Sequence, residues 1–142
     1  RICLVGSEMC IRDSYGRILL RYGNLESGIK ILEQLYEREP IPMSDINTDR
    51  MNRELFLAYY LDKDYKKCEE TFNKINECTF REWLINIDIK IKQNKDYAQD
   101  NWFVSGIERF NNLDKEKEIS LFHLNNKFIS NELKNLSQKV FA

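Results

Sequence analysis

The sequence predicts an all-α fold built from antiparallel helical hairpins. Only 2 of the 142 residues are Pro and 5 are Gly, and long helices joined by short turns need few such residues. Apolar residues recur at spacings of three and four along most of the chain, which is the helical period. A short polar turn occurs twice, as Asp62-Lys63-Asp64 and as Asn94-Lys95-Asp96, each time directly before a tyrosine.

The overall composition is typical of a folded chain and argues against two classes of partner. Hydrophobic residues make up 42% and charged residues 32% of the sequence, which differs from a disordered chain. The 22 basic and 23 acidic residues give a net charge of −1, without the basic excess that nucleic-acid binders use to neutralise phosphates. No apolar run approaches the ~20 residues that span a bilayer. We therefore expect neither a nucleic-acid nor a membrane partner.

The four cysteines do not predict a metal site. They are Cys3, Cys10, Cys68 and Cys78, without a C-x-x-C pair, and His123 is the one histidine. A structural zinc site needs about four clustered ligands. We expect free thiols, no metal and no cofactor, in a protein of the reducing cytoplasm.

Residues 1–14 are expected to be a non-native segment. The run from Ser7 to Ser14 resembles a translated sequencing adaptor, and the chain does not begin with Met. Such a segment is left out of fold prediction, and the chain would then be a fragment of a longer protein. The alternative is that these residues form an ordinary helix start.

The first half of the chain predicts helices at residues 16–21, 25–38, 49–61 and 65–76. Gly23-Asn24 separates the first two, and Pro40 and Pro42 end the second. Residues 41–48 are expected to form a loop, and Asn47, Thr48 or Asp49 would cap the next helix. The apolar stripes are Leu25, Ile29, Leu32, Leu35 and Tyr36, then Met51, Leu55, Phe56, Tyr59 and Tyr60, then Cys68, Phe72 and Ile75.

The second half contains one ambiguous segment. Ile85, Ile87, Ile89 and Ile91 alternate with polar residues, as in a strand, but no second strand is evident to pair with this one. We predict a helix that begins at Phe80 after a Thr79 cap. Residues 97–111 predict another helix, with Phe103, Ile107 and Phe110 on one face. Residues 113–141 predict one long helix, or two helices broken near Asn125-Asn126.

A repeat underlies these helices. At offsets of two, five, nine and twelve residues from Gly23, Lys63 and Lys95, three sets of residues correspond. They are Leu25, Gly28, Leu32 and Leu35, then Tyr65, Cys68, Phe72 and Ile75, then Tyr97, Asp100, Val104 and Ile107.

This pattern resembles the tetratricopeptide repeat, in which a turn precedes an aromatic, a small residue and two apolar positions. The resemblance covers residues 15–112 and implies about three helix pairs, stacked as a short right-handed α-solenoid. Residues 113–142 would form the capping helix or helices. The pattern departs from the family in two ways. The anchors lie 40 and then 32 residues apart, against a period of about 34, and Asp88 and Asp100 occupy positions where the family packs small residues.

The resemblance also implies a function, that of a scaffold which binds a peptide or partner protein. In the family the first helix of each pair lines a concave groove. Here that groove would carry Arg17, Arg21, Arg50, Arg53, Leu57, Tyr60, Ile85, Asn86, Ile89 and Lys92. The arginines favour an acidic ligand, although a solvated helix face is the ordinary interpretation of such a set. Asp13, Glu54 and Glu82 occupy the carboxylate-binding positions of the chaperone-binding members, so we do not expect that subclass.

The remaining candidate residues predict packing rather than chemistry. Trp83, Trp102 and Phe103 would form an exposed aromatic anchor or, more simply, part of the core, and His123 has no evident catalytic partner. We therefore predict that the chain is not an enzyme. An alternative is an accessory helical-repeat module of a larger enzyme, such as a glycosyltransferase or an oxygenase. A helical-repeat RNA binder is disfavoured by the net charge and the uneven spacing.

Overall fold

The computed structural model describes residues 24–37, 45–122, 124 and 127–142. This part of the chain contains seven helices and no strand, in agreement with the all-α prediction. They are α1 (Leu25–Glu37), α2 (Asp45–Leu61), α3 (Tyr65–Phe72), α4 (Phe80–Lys92), α5 (Asn101–Phe110), α6 (Lys115–Ser120) and α7 (Lys127–Val140). The helix predicted over residues 16–21 lies outside the described residues.

The chain divides into two compact units, Arg1–Glu77 and Cys78–Ala142. In the first unit α1 and α3 both pack against α2. In the second unit α5, α6 and α7 pack against α4, and α6 also contacts α7. Each unit is therefore organised around one central helix.

The central helix of the first unit, α2, is buried over most of its surface. The predicted stripe is buried in full, at Met51, Leu55, Phe56, Tyr59 and Tyr60. Asn52, Leu57 and Ala58 are buried as well. The stripe is thus correct, but it covers only part of the face that packs.

The central helix of the second unit, α4, contains the isoleucine run, and the prediction of a helix is confirmed. Ile85, Ile87 and Ile89 are buried, and so are the intervening Asn86 and Asp88. The alternation of apolar and polar residues is therefore not an alternation between inside and outside. A helix that is buried on most sides lacks the one-sided pattern from which helices are recognised.

The turn after α2 is a Schellman motif, in which the helix ends on a residue in the left-handed region. The Lys63 N–H donates to the Tyr60 carbonyl at 3.1 Å, and the Asp64 N–H donates to the Tyr59 carbonyl at 2.9 Å. Lys63 itself has a φ of 61°.

The turn after α4 closes in the same way. The Asn94 N–H donates to the Ile91 carbonyl at 3.1 Å, and the Lys95 N–H donates to the Lys90 carbonyl at 2.9 Å. Asn94 has a φ of 54°. By cap geometry Asn94 corresponds to Lys63, whereas the sequence pattern pairs Lys63 with Lys95. The two turns are equivalent, but the predicted register is one residue out.

Asp49 lies at two places where the structure differs from the predicted helix bounds. It lies inside α2, which begins at Asp45, rather than at the cap position. Its buried carboxylate accepts hydrogen bonds from the N–H groups of Asn76 and Glu77, both at 2.9 Å. α3 ends at Phe72 instead of continuing to Asn76, and the two bonds engage the N–H groups of residues 76–77 outside the helix.

The helix predicted over residues 97–111 begins at Asn101. Upstream, the Asp96 carboxylate accepts a hydrogen bond from the Ala98 N–H at 3.3 Å. Such a local side-chain bond competes with helix formation, and Asp100 then occupies the N-cap. Val104, a predicted repeat anchor, is 53% exposed on this helix.

The predicted carboxyl-terminal helix is divided into α6 and α7, as in the second of the two alternatives for this segment. The Lys115 ammonium, at the start of α6, donates to the Asn111 carbonyl at 2.8 Å. The same ammonium lies 4.2 Å from the centre of the Phe141 ring. Lys115 therefore connects the beginning of α6 to the end of the chain.

The core of the second unit is an aromatic cluster around Trp83, which has no exposed surface. Its ring stacks on Phe103 at 5.7 Å between centroids and contacts Phe110 at 5.5 Å. Gly106 of α5 lies directly against the indole, so that a Cβ at this position would overlap the ring. Phe80, Phe110, Phe122 and Phe141 surround the cluster.

Candidate binding surface

The groove candidates of the first unit divide into buried and half-buried residues. Leu57 is 7% and Tyr60 is 3% exposed, so a ligand would reach them only by displacing the side chains that cover them. Arg50 and Arg53 are half-buried on α2. Because they lie three residues apart, they share a helix face. Two further candidates lie outside the described residues: Arg17 and Arg21.

Arg53 has a role within the fold. Its Nη1 donates to the Glu77 carbonyl at 3.3 Å, while Asp49, one turn earlier, binds the N–H groups of Asn76 and Glu77. The two side chains together hold both the donors and the acceptor of one short backbone segment. Arg53 therefore stabilises the backbone segment that follows α3.

Arg50 differs from Arg53 in its surroundings. Across the part of the chain that the structure describes, no hydrogen bond or ion pair engages its guanidinium. Glu54, one turn further along α2, is buried and has interactions of its own. Arg50 is thus half-buried, and it has no hydrogen-bond or ion-pair partner among the described residues.

The groove candidates of the second unit are mainly buried. Ile85, Asn86 and Ile89 all lie in the packed surface of α4. Their burial gives them a role in the core of the unit. Whether any of them also contacts a ligand stays a prediction.

Lys92, at the end of α4, is exposed and paired. Its Nζ lies 2.8 Å from Asp88 Oδ2 and 3.8 Å from Glu132 Oε1. Because Asp88 is buried, the ion pair supplies the partner that a buried carboxylate requires. Lys92 therefore stabilises a residue that the repeat pattern marks as unfavourable.

Glu82, one of the acids at the carboxylate-binding positions, is fully buried. Its carboxylate accepts from the Thr79 N–H at 3.0 Å and from Arg81 Nε at 2.8 Å. The bond from the Thr79 N–H belongs to the capping box that starts α4. Glu82 is thus committed to the helix start, and Asp13 lies outside the described residues.

A polar network joins the three helices that the structure describes in the first unit. Tyr59 Oη donates to Glu33 Oε2 at 2.7 Å. Lys67 Nζ lies 3.8 Å from the same carboxylate oxygen and 5.4 Å from the centre of the Tyr59 ring. Burial, followed by the hydrogen bond to Glu33, raises the pKa of Tyr59 well above its usual value. The phenol therefore acts as a neutral donor between α1 and α2.

Cys68 and Cys78 are free thiols. Burial, reinforced by Asp64, raises the pKa of Cys68 to about 12. Burial and Glu82 also raise the pKa of Cys78, although Arg109 acts in the opposite direction. Since the thiolate is the nucleophile, both groups remain unreactive thiols at neutral pH. Within the described residues no cluster of His, Cys, Asp and Glu is suited to a metal ion. Three residues considered for metal binding lie outside them: Cys3, Cys10 and His123.

The three aromatic candidates meet in one place. Trp83 belongs to the core, as the simpler interpretation predicted, and its Nε1 donates to the Trp102 carbonyl at 3.1 Å. Trp102 and Phe103 are half-buried, and Trp102 Nε1 donates to Asp100 Oδ2 at 3.1 Å. These two rings form the edge of the cluster rather than a separate exposed anchor.

Sequence reasoning missed the roles of Asp49 and Gly106. A glycine inside a helical segment indicates close approach between two elements, so the role of Gly106 could have been predicted from the sequence. The role of Asp49 could not, because an acid near a helix start is equally suited to capping.

No family model, curated protein or solved structure matches this chain. The described residues include no helix that is both long and apolar enough to cross a membrane.

Proposed function

We propose that this chain is a helical-repeat module of the tetratricopeptide type that binds a peptide or partner segment of another protein. In this proposal its helix pairs stack as a short right-handed α-solenoid. The observation that supports it best is the equivalence of the two turns. Both α2 and α4 are central helices that end in a Schellman motif, at Lys63 and Asn94, before the next helix packs back on them.

The half-buried and exposed residues narrow the proposed binding surface. Leu57, Tyr60, Asn86 and Ile89 are buried, so they support the shape of the central helices. Among the described candidates, Arg50 and Arg53 of α2 are half-buried in the first unit, and Lys92 of α4 is exposed in the second.

The proposal is tested by selection from random peptides displayed on phage, with the purified chain as target. We expect enrichment of related sequences, which then bind as synthetic peptides in fluorescence anisotropy. The matched control target is the same chain after thermal unfolding, which should lose the enriched peptides. Failure to enrich any sequence above this control would contradict a peptide-binding function.

A further inference from the structure

We propose that the aromatic edge of the second unit docks a basic segment of a partner protein, with an arginine side chain seated against the Trp102 ring beside the Asp100 carboxylate. The aromatic edge is the set of half-buried rings on and just before α5, namely Tyr97, Trp102 and Phe103. It contains none of the groove candidates, so it is a second surface whose test does not depend on the groove.

The three rings of the aromatic edge are held at steep angles around Phe103. The Phe103 ring stacks on the buried Trp83 ring, with 5.7 Å between centroids and 12° between the planes. The rings of Trp102 and Tyr97 meet Phe103 at 82° and 69°. Phe103 is thus fixed by the core, and the two outer rings pack against it while each residue keeps part of its surface exposed.

The Asp100 carboxylate is directed at this edge rather than at the helix backbone. Asp64 and Asp114, which also precede helices, each accept a hydrogen bond at 3.3 Å from the N–H group three residues further on. Asp100 makes no such cap. Its Oδ2 instead accepts from Trp102 Nε1 at 3.1 Å, in an exposed position. This bond restrains the orientation of the indole and leaves a negative charge at its rim.

An aromatic face beside a carboxylate attracts a cation for two reasons. The face of the ring is electron-rich, and tryptophan is the side chain that binds cations most strongly in this way. The carboxylate supplies an opposite charge and an acceptor for a charge-assisted hydrogen bond. A guanidinium suits both better than an ammonium does, because it is planar, stacks on a ring and directs its N–H donors outward in its own plane.

The charge of the surrounding chain favours the same occupant. Residues 96–108 contain three acids, Asp96, Asp100 and Glu108, and no lysine or arginine. All three acids are exposed. The flanking bases, Lys95 and Arg109, have interactions of their own. A basic segment would therefore be attracted to this edge, and an acidic one repelled.

The test uses a blocked tetrapeptide, Gly-Arg-Arg-Gly, and its counterpart in which citrulline replaces both arginines. Citrulline keeps the shape of arginine and lacks its charge. The chain has two tryptophans, so their indole N–H signals in an NMR titration distinguish the edge from the core. We expect the arginine peptide to shift the Trp102 signal saturably and the Trp83 signal less. The citrulline peptide should bind about tenfold more weakly, as for the loss of a cation–π contact and a charge-assisted hydrogen bond.

Asp100→Asn removes the charge and keeps a residue that is suited to the N-cap. It should weaken the arginine peptide by about tenfold and leave the citrulline peptide little changed, and such coupling indicates direct interaction. The matched control is Glu108→Gln, which removes one negative charge from another exposed position of α5. This control should leave both affinities unchanged.

Trp102→Leu assigns the indole signal and should abolish the preference for arginine over citrulline, because an aliphatic side chain has no electron-rich face. Binding to this variant is followed through the backbone N–H signals of α5. Circular dichroism establishes that each variant is folded, and Asp100→Asn decides the question if Trp102→Leu does not fold.

Three results would overturn the proposal. One is the absence of a saturable shift with the arginine peptide. The second is equal affinity for the citrulline peptide, which would indicate an uncharged occupant. The third is an equal loss in Asp100→Asn and Glu108→Gln, which would indicate a general charge effect rather than a site at this edge. Peptide binding by the groove is judged separately, by the selection from displayed peptides.

Discussion

The two units differ in the interactions that hold their helices against a buried central helix. Each is built around a helix that is buried over most of its surface, and among the described side chains each such helix contains three buried polar residues. They are Asp49, Asn52 and Glu54 in α2, and Glu82, Asn86 and Asp88 in α4. The first unit holds its helices with a polar network centred on Tyr59 and Glu33, whereas the second packs aromatic rings around Trp83.

This difference determines where each unit is sensitive to change. In the first unit the polar network stabilises the fold through several hydrogen bonds, each of which contributes about 1 kcal/mol to the free energy of unfolding. In the second unit much of the stabilisation comes from one large side chain, Trp83, which packs closely against Gly106. We therefore expect single substitutions to cost more in the second unit.

The largest effect is expected from Trp83→Ala. It removes a fully buried ring and the hydrogen bond to the Trp102 carbonyl, and should lower the free energy of unfolding by about 3–5 kcal/mol. Tyr59→Phe, its counterpart in the first unit, should cost about 1 kcal/mol. Urea denaturation followed by circular dichroism measures both. Equal costs would remove the contrast between the two units.

Gly106→Ala should reverse the usual sign of a glycine substitution in a helix. In an open helix this change stabilises by about 1 kcal/mol. Here the new methyl group meets the Trp83 indole, and overpacking should lower the free energy of unfolding by about 1–3 kcal/mol. Ser105→Ala, at the exposed neighbouring position of α5, is the control and should stay within about 0.5 kcal/mol. A stabilised Gly106→Ala protein would contradict the close approach.

Cys68 in the first unit and Cys78 in the second should each make the free energy of unfolding depend on pH. The pKa of Cys68 is raised from an ordinary value of 9.0 to about 12, so the unfolded chain loses this proton at lower pH than the folded chain does. Its contribution to stability is therefore complete below pH 9.0 and is lost as the pH rises towards about 12. The free energy of unfolding should decline above about pH 9, by at most about 1.4 kcal/mol per pH unit for this thiol.

Cys68→Ala should flatten this decline, measured by urea denaturation at several pH values. Cys78→Ala is the comparison in the second unit and should flatten it less, because Arg109 opposes the shift of the Cys78 pKa. Comparing slopes rather than absolute stabilities removes the separate cost of each cavity. A decline that is identical in Cys68→Ala and the unmodified chain would contradict the assignment.

The sequence predicts the helices better than their ends. The stripe of α2 and the helical state of the isoleucine run are confirmed, because the spacing of apolar residues along a helix can be recognised from a short stretch of sequence. The predicted end of α3 and the predicted start of α5 were wrong. Beyond the end of α3, Asp49 accepts two hydrogen bonds from the N–H groups of residues 76–77, which lie far from it in sequence and which a helical period does not predict.

The candidate surface was harder to predict for a related reason. A helical stripe tells which residues pack, but not whether the remaining face is also covered. Tyr60 and Asn86 were placed on an open face, and both are buried. Arg50, by contrast, is half-buried and kept its predicted accessibility in part.

The smallest effect concerns the two equivalent turns, where the units differ in one residue. Lys63 and Asn94 both occupy the left-handed region, which is unfavourable for most side chains and better tolerated by asparagine. Lys63→Gly should therefore raise the free energy of unfolding by about 0.5–1 kcal/mol, and Asn94→Gly by less. Thermal denaturation checks both, with Lys66→Gly inside α3 as a control that should lose about 1 kcal/mol. Lys63→Gly could instead destabilise the protein as much as Lys66→Gly does. In that case Lys63 does not end α2 in a left-handed conformation, and the two turns are not equivalent.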